Sequence, residues 1–466
     1  SSPPPPPPSA DDGPDSPWAP LPVNPTTPAA VAAARTGRWW EGESAAKGFA
    51  EQLRANDAKL LTLCLVPPKR FDPQDVEEIC DGLEVNTHCH ELLASGHSLS
   101  DASCERLAKM IRINSSLRTL SLGDSSLGDR AGILFDALGE NASLTSLDFE
   151  HKGLTAEAGR RLASALVRRA EGAAGAARVE CLRLSRNTGV ADALEDLASA
   201  PAPRQLLLCE CGLEAERHGP ALGRWVARGV EDLDLRGNSR LSSEGLETIL
   251  EAAAADAPPL RRLRLDGCAV GDDGAEALAL ALKRGLELQE LFLDGCELTT
   301  AGCEFIARAV GGRQGCGRLA ALNVRGNAIG DEGCAALAAC AERLDLSATG
   351  LGPRGLERLA GAPLVSLELF NNPQLGLSVR EWCSALRPSD WQQLTFLDLS
   401  CCGLGNEGFQ CLCGKLTEEI DVFPRLQTLC LGGNDVDDSE EAASFTLEER
   451  LCAARQGRLR LLWRNG

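Results

Sequence analysis

One short pattern, LxxLxL, returns fifteen times and constrains this chain more than any other feature. With its first residue taken as position 1, the pattern starts at Leu60, Cys89, Leu117, Leu144, Val179, Pro203, Val230, Leu260, Leu288, Leu319, Ala341, Leu364, Leu394, Leu426 and Leu459. The spacing is about 28 to 29 residues, and within each unit the apolar period switches from 2 to 3.6, which predicts a short strand followed by a helix. A single strand and helix cannot bury its own apolar face, so each unit depends on its neighbours. A chain of 466 residues would otherwise suggest about three domains. The register instead predicts one continuous stack over 60–466. Aromatics are only 4% of the chain and Tyr is absent, as a thin, repeated aliphatic layer requires.

The residue types within a unit follow from the geometry. Positions 1, 4, 6 and 11 carry the aliphatics that pack between units. Position 9 turns inward at a bend and calls for a small side chain that bonds nearby backbone: Asn238, Asn327, Asn372 and Asn434 do so with an amide, and Cys211, Cys268, Cys296 and Cys402 with a thiol. Turns such as GDDG, GDEG and GNEG then enter the helix with an acid near its N-terminus. Departures from the period are expected to show. The Leu144 unit runs 35 residues through RRAEGAAGAA, which predicts an outer loop, while the Leu319 and Ala341 units shrink to 22 and 23, which predicts a 3₁₀ turn or loop in place of a helix.

With segments such as TTAGCEFIARAV and IGDEGCAALAAC, the chain from about Leu60 onward resembles the ribonuclease-inhibitor-like class of leucine-rich repeats. The resemblance implies an α/β leucine-rich-repeat solenoid, a right-handed horseshoe with parallel strands on the concave face and helices on the convex face. It also implies a non-catalytic binding scaffold, without naming the partner. The early segments NTHCHELL, NSSLRTL and NASLTSL resemble the tropomodulin cap domain as well.

Outside the repeats, residues 1–37 are proline-rich and aperiodic and read as a disordered tail, with PPPPPP a potential proline-helix ligand. Residues 38–59 read as a capping helix with Trp39, Trp40, Ala46, Phe49 and Leu53 as its apolar stripe, and LEERLCAARQGRLRLLW as a closing helix and strand with Trp463 as lid. The chain begins without Met, which reads as processing or a fragment.

Charge narrows the partner. Lys and Arg number 47 against 67 Asp and Glu, a net −20, which is wrong for nucleic acid or an anionic membrane and right for a basic protein. No run of about 18 apolar residues is present. Many of the 20 cysteines lie within aliphatic patterns, often singly, and read as reduced thiols, hence an intracellular, cytoplasmic setting. Two sequons, at Asn114 and Asn141, read as chance.

No catalytic motif is evident, and no cofactor is expected. Cys80, His88, Cys89, His90, His97 and Cys104 crowd together, but their spacings match no zinc pattern and most occupy packing positions, so no metal is expected. Cys209/Cys211, Cys411/Cys413 and the vicinal Cys401/Cys402 read as packing positions rather than redox switches. Binding is expected on the inner wall, where positions 3, 5 and 7 point to solvent and eleven acids face six bases. Asp345, Glu368 and Asp398 hold position 5 in three successive units and should stack, flanked by Phe370 and Phe396, with Phe292 upstream as a further apolar anchor. These six residues are the candidate partner-binding set, in a monomer or a subunit of a larger assembly. A GTPase-activating regulator resembling the Ran activators and a cytoskeletal or ciliary subunit are the alternatives.

Overall fold

In the computed structural model, residues 45–172, 178–252, 260–312, 317–436 and 441–463 are described. The proline-rich segment 1–37, with Trp39 and Trp40, lies outside them. Each of the fifteen patterns forms a strand: β1 (Thr62–Cys64), β2 (Glu91–Ser95), β3 (Thr119–Gly123), β4 (Ser146–Asp148), β5 (Cys181–Arg183), β6 (Gln205–Leu207), β7 (Asp232–Asp234), β8 (Arg262–Arg264), β9 (Glu290–Phe292), β10 (Leu319–Asn323), β11 (Ala341–Asp345), β12 (Ser366–Glu368), β13 (Phe396–Asp398), β14 (Thr428–Cys430) and β15 (Arg460–Leu462). They lie side by side in chain order in one parallel sheet. This is the α/β leucine-rich-repeat solenoid expected from the period. By compactness the described residues fall into two units: one runs to Gly153 and includes Ser164–Leu182, and the other holds Leu154–Ala163 and everything from Arg183 onward.

In the first unit, the register runs Leu63↔Leu92↔Leu120↔Leu147, all leucines at position 4 and all buried. Its opening helix, Ala45–Arg54, buries Ala46, Ala50 and Leu53 against the next helix, Pro73–Val85. In the second unit the position-4 column continues through Leu344↔Leu367↔Leu397 on β11 to β13, with exposures of 0%, 0% and 4%. Burying one such side chain stabilises by about 1.5–3 kcal/mol, and the column repeats at each strand.

Three expectations need correction. The short units keep α-helices, Gly330–Leu337 and Pro353–Leu359, merely shortened to 8 and 7 residues. The six-residue 3₁₀ helix falls one unit later, at Pro373–Ser378, where Pro373 opens the turn. The 35-residue unit extends its helix over Ala156–Gly172 instead of looping out from Arg168, and 173–177 lie outside the described residues. At the C-terminal end, Glu441–Ala454 is a helix, and Trp463 donates Nε1–H to Glu448 at 2.8 Å with its ring 5.1 Å from that of Phe409.

The bend at position 9 is a hydrogen-bonded ladder. Asn372 donates its amide to Leu346 O of the preceding unit and to Leu369 O of its own, both at 2.9 Å. Its Oδ1 accepts from the N–H groups of Thr349 and Leu351 at 3.2 and 3.0 Å. Asn238 and Asn434 repeat the arrangement. Cys402 supplies only the donor, its Sγ lying 3.1 Å from Leu369 O, and Cys211, Cys268 and Cys296 reach the equivalent carbonyls at 3.4, 3.2 and 3.1 Å. His97 fills the same slot, with a ring nitrogen 2.5 Å from Leu65 O.

A second ladder lies at the helix-to-strand corner, where Asn86, Asn114 and Asn141 are buried. Asn114 donates to Leu83 O at 2.7 Å and accepts from the N–H groups of Ser116 and Leu117 at 3.0 and 2.7 Å. The sequon pattern at Asn114 and Asn141 is thus a structural N-x-S-L corner.

Because Asn372 satisfies four buried backbone groups and Cys402 far fewer, the two substitutions should separate. Asn372→Ala is expected to destabilise by about 2–4 kcal/mol and Cys402→Ala by about 1 kcal/mol. Urea denaturation checks this; equal losses would show that the amide is not what holds the bend.

Candidate functional site

The sequence-derived wall is positions 3, 5 and 7 of successive strands, and within the second unit the structure places them in three columns. At position 3, acids and bases alternate: Arg262 bonds Asp232 at 3.2 Å and Glu290 at 2.6 Å, and Arg343 reaches Glu290 at 3.0 Å. At positions 5 and 7, Arg236 pairs with Asp234 at 2.9 Å, and Arg264 lies over the Phe292 ring at 4.4 Å. Three of the six wall bases, Arg236, Arg262 and Arg264, thus lie among the wall acids of β7 to β9.

These columns also correct the expectation that wall side chains face water. Strands stand only about 4.8 Å apart, so long side chains in neighbouring units lie over one another. Phe292 is 5% exposed beneath Arg264 and is no open anchor. Arg262, Arg264 and Glu290 are likewise buried.

The three carboxylates do come together. The register pairs Asp345 with Glu368 and Glu368 with Asp398, so all three stand side by side on β11, β12 and β13. Neutral residues bound the column, Asn323 on β10 and Cys430 on β14. Adjacent like charges of this kind disfavour folding by a few tenths of a kcal/mol each, roughly. Asp345 departs from expectation in being only 2% exposed, whereas Glu368 and Asp398 are half-buried. Asp345 and Asp398 each accept a 2.8 Å bond from the N–H two residues on, at Ser347 and Ser400, which ends the strand with a tight turn.

Burial pushes the Asp345 carboxyl up to about 6, against the pull of the Ser347 bonds and Arg325. Burial raises Asp398 as well, opposed by its bonds to Ser400 and by Arg325. The Cys430 thiol is pushed up to about 12 by burial, with Asp398 and Glu368 adding to it. Phe396 and Phe370, at positions 3 and 7, are partly exposed on either side of the carboxylates.

Sequence reasoning counted Arg325 among the six wall bases but gave it no role at the carboxylates. Its guanidinium lies 5.3 Å from the centroid of the Phe370 ring, its Nε 4.0 Å from Asp294, and its charge acts on both Asp345 and Asp398. The position-7 register, in which Arg325, Ser347 and Phe370 follow one another, carries the signal for the ring contact.

Elsewhere, the His/Cys group is dispersed. His90 places Nδ1 3.1 Å from Ser116 O, and His97 sits in the bend against Phe71. Among the described residues no three His, Cys, Asp or Glu are placed to hold a metal ion, and no helix is long and apolar enough to cross a membrane. An open cleft of about 380 Å³ in the first unit is lined by Ser95, Asp124, Asp148, Glu150 and Lys152 among others, with the Lys152 ammonium 2.5 Å from Ser95 Oγ.

The leucine-rich-repeat family model matches residues 257–279, 319–338 and 392–413. Over 425 residues the chain is 27% identical to a ribonuclease inhibitor of Sus scrofa, spanning 89% of this chain and 86% of that protein. Over 404 residues it is 28% identical to a ribonuclease inhibitor of Mus musculus, spanning 84% and 75%. Among solved structures, the complex of Rad7 and Elc1 in yeast is similar at 16% identity and a TM-score of 0.48, covering 89% of this chain and 86% of that one.

The raised Asp345 carboxyl has a thermodynamic consequence. An aspartate titrates near 3.9 when unfolded, so the native state binds the extra proton between about pH 6 and 4, and stability rises as pH falls through that window. Asp345→Asn keeps an oxygen for the Ser347 N–H and removes the buried charge. It should raise the melting temperature at pH 8 by about 1–3 °C, a gain that vanishes by about pH 4. Thermal scans at the two pH values check this; a gain of equal size at both would contradict it.

Proposed function

We propose that this chain, a leucine-rich-repeat protein of the ribonuclease-inhibitor-like class, is a non-catalytic interaction scaffold that receives a basic protein surface on the wall of β11 to β13. Leucine-rich-repeat proteins generally work by binding other proteins. The observation that carries the finer reading is the column of Asp345, Glu368 and Asp398, bounded by neutral residues and edged by Phe370 and Phe396. Upstream, wall acids such as Asp232, Asp234 and Glu290 are already matched by Arg262, Arg236 and Arg343. The β11 to β13 carboxylates supply the field that steers a cation, and the rings supply apolar contact once it has docked.

A ribonuclease, the class printed in the relatives' names, is the first partner to test. A protein that cleaves RNA must hold a polyanion and so presents Lys and Arg at its working face. A reducing, intracellular compartment suits this reading, because Cys211, Cys268, Cys296 and Cys402 act as Sγ–H donors at the bends and oxidation removes that donor.

Binding kinetics against a purified ribonuclease test the proposal. Asp345→Asn, Glu368→Gln and Asp398→Asn together should slow association about tenfold at low salt and flatten its salt dependence. Phe396→Ala should leave association nearly unchanged and speed dissociation about tenfold. If no ribonuclease binds, the same variants apply to a partner captured from native lysate at low and moderate salt. Kinetics unmoved by both changes would show that the wall of β11 to β13 is not the binding surface.

A further inference from the structure

Arg325 stands where a partner's cation would have to go. On β10, Asn323 pairs with Asp345, and Gly326 N–H donates to Ser347 O at 2.9 Å, so Arg325 lies opposite Ser347. The Phe370 ring it touches follows β12, the strand two places along the sheet. Ser347, just past β11, stands between them at the same position of the register, and the Arg325 guanidinium lies over the aromatic face. There its charge bears on Asp345 and Asp398. A cation on a ring face beside carboxylates is the arrangement a docking Arg or Lys would adopt.

The hold on Arg325 is loose compared with the other wall arginines. Among the described residues its ion pair is to Asp294 and spans 4.0 Å. Arg262 instead makes pairs at 2.6 and 3.2 Å, and Arg343, as exposed as Arg325, a pair at 3.0 Å. Arg264 over Phe292 is the same cation–ring contact sealed into the wall, at 6% exposure. The sheet thus carries two versions of one contact, one buried at β8 and β9 and one open to exchange at β10 to β12.

We propose that Arg325 is an internal stand-in for the partner's cation, and that a basic partner docks by displacing its guanidinium from Phe370 and the carboxylate column. The proposal rests on the β11 to β13 reading above and adds a specificity-determining residue to it. Arg325 sets a threshold: a lone, weakly placed cation cannot outcompete it, while a partner that brings several cations together with an apolar contact can. The surface stays compensated until such a partner arrives.

The test is a fluorescence anisotropy titration of the full chain with labelled octa-arginine, repeated with the ribonuclease where that binds. Arg325→Gln should tighten binding about fivefold or more, while Arg236→Gln, an equal change of charge beside β7, should alter it less than about twofold. In the Asp345→Asn, Glu368→Gln, Asp398→Asn background the gain from Arg325→Gln should vanish. If that background weakens binding but Arg325→Gln matches Arg236→Gln or loosens binding, Arg325 is no stand-in, and the wall reading survives. If the carboxylate variant binds as tightly as the wild type, the wall reading fails and the stand-in with it. Circular dichroism and melting curves confirm that each variant is folded.

Discussion

The bend at position 9 is the constraint on which the rest of the structure depends. Each unit leaves its strand there and exposes backbone groups toward the interior, where an unpaired donor or acceptor costs about 1–3 kcal/mol. Asn238, Asn372 and Asn434 meet both sides of that demand, bonding carbonyls and N–H groups across the gap between units. The thiols of Cys268 and Cys402 meet the donor half. Because these bonds tie a given residue of one unit to a given residue of the last, they fix register as well as stability. The column of Asp345, Glu368 and Asp398 is a consequence of that register.

Register also explains how an acidic wall is tolerated. Over β7 to β9, arginines and acids alternate closely enough to compensate each other. In the position-5 column of β11 to β13 three carboxylates follow without an alternating base; Arg343 on β11 is turned to Glu290, and Arg325, held by Phe370 and Asp294, brings its charge from the flank. Isolated exposed ion pairs contribute little to stability, about 0–1 kcal/mol. The value of Arg325 is better sought in what it does to binding than in what it does to folding.

Most of the fold was legible in the sequence, because a strand of alternating leucines leaves the same signature each time. All fifteen strands begin within two residues of a pattern start. The short units misled because length was taken as absence: Gly330–Leu337 and Pro353–Leu359 still bury a helical face with two turns. The candidate site was legible in register and illegible in exposure. Period-2 logic sends Phe292 and Asp345 to the solvent side, but it cannot see that Arg264 lies across Phe292 or that Asp345 sinks between its neighbours. Asn86, Asn114 and Asn141 were missed for the opposite reason. Their shared offset ahead of β2, β3 and β4 was visible, but a sequon explanation was at hand for two of them.

The central claim is that the β11 to β13 carboxylates receive a cation from a partner protein. The most direct measurement is the carboxyl titration of Asp398, followed by carbon-13 NMR in the free chain and in its complex with a basic partner. In the free chain burial holds that carboxyl above the usual aspartate range. A partner that brings several cations in place of the single Arg325 favours the charged form more strongly, so its titration should move to lower pH in the complex. A midpoint that stays where it was, in a complex shown to be saturated, would contradict the claim.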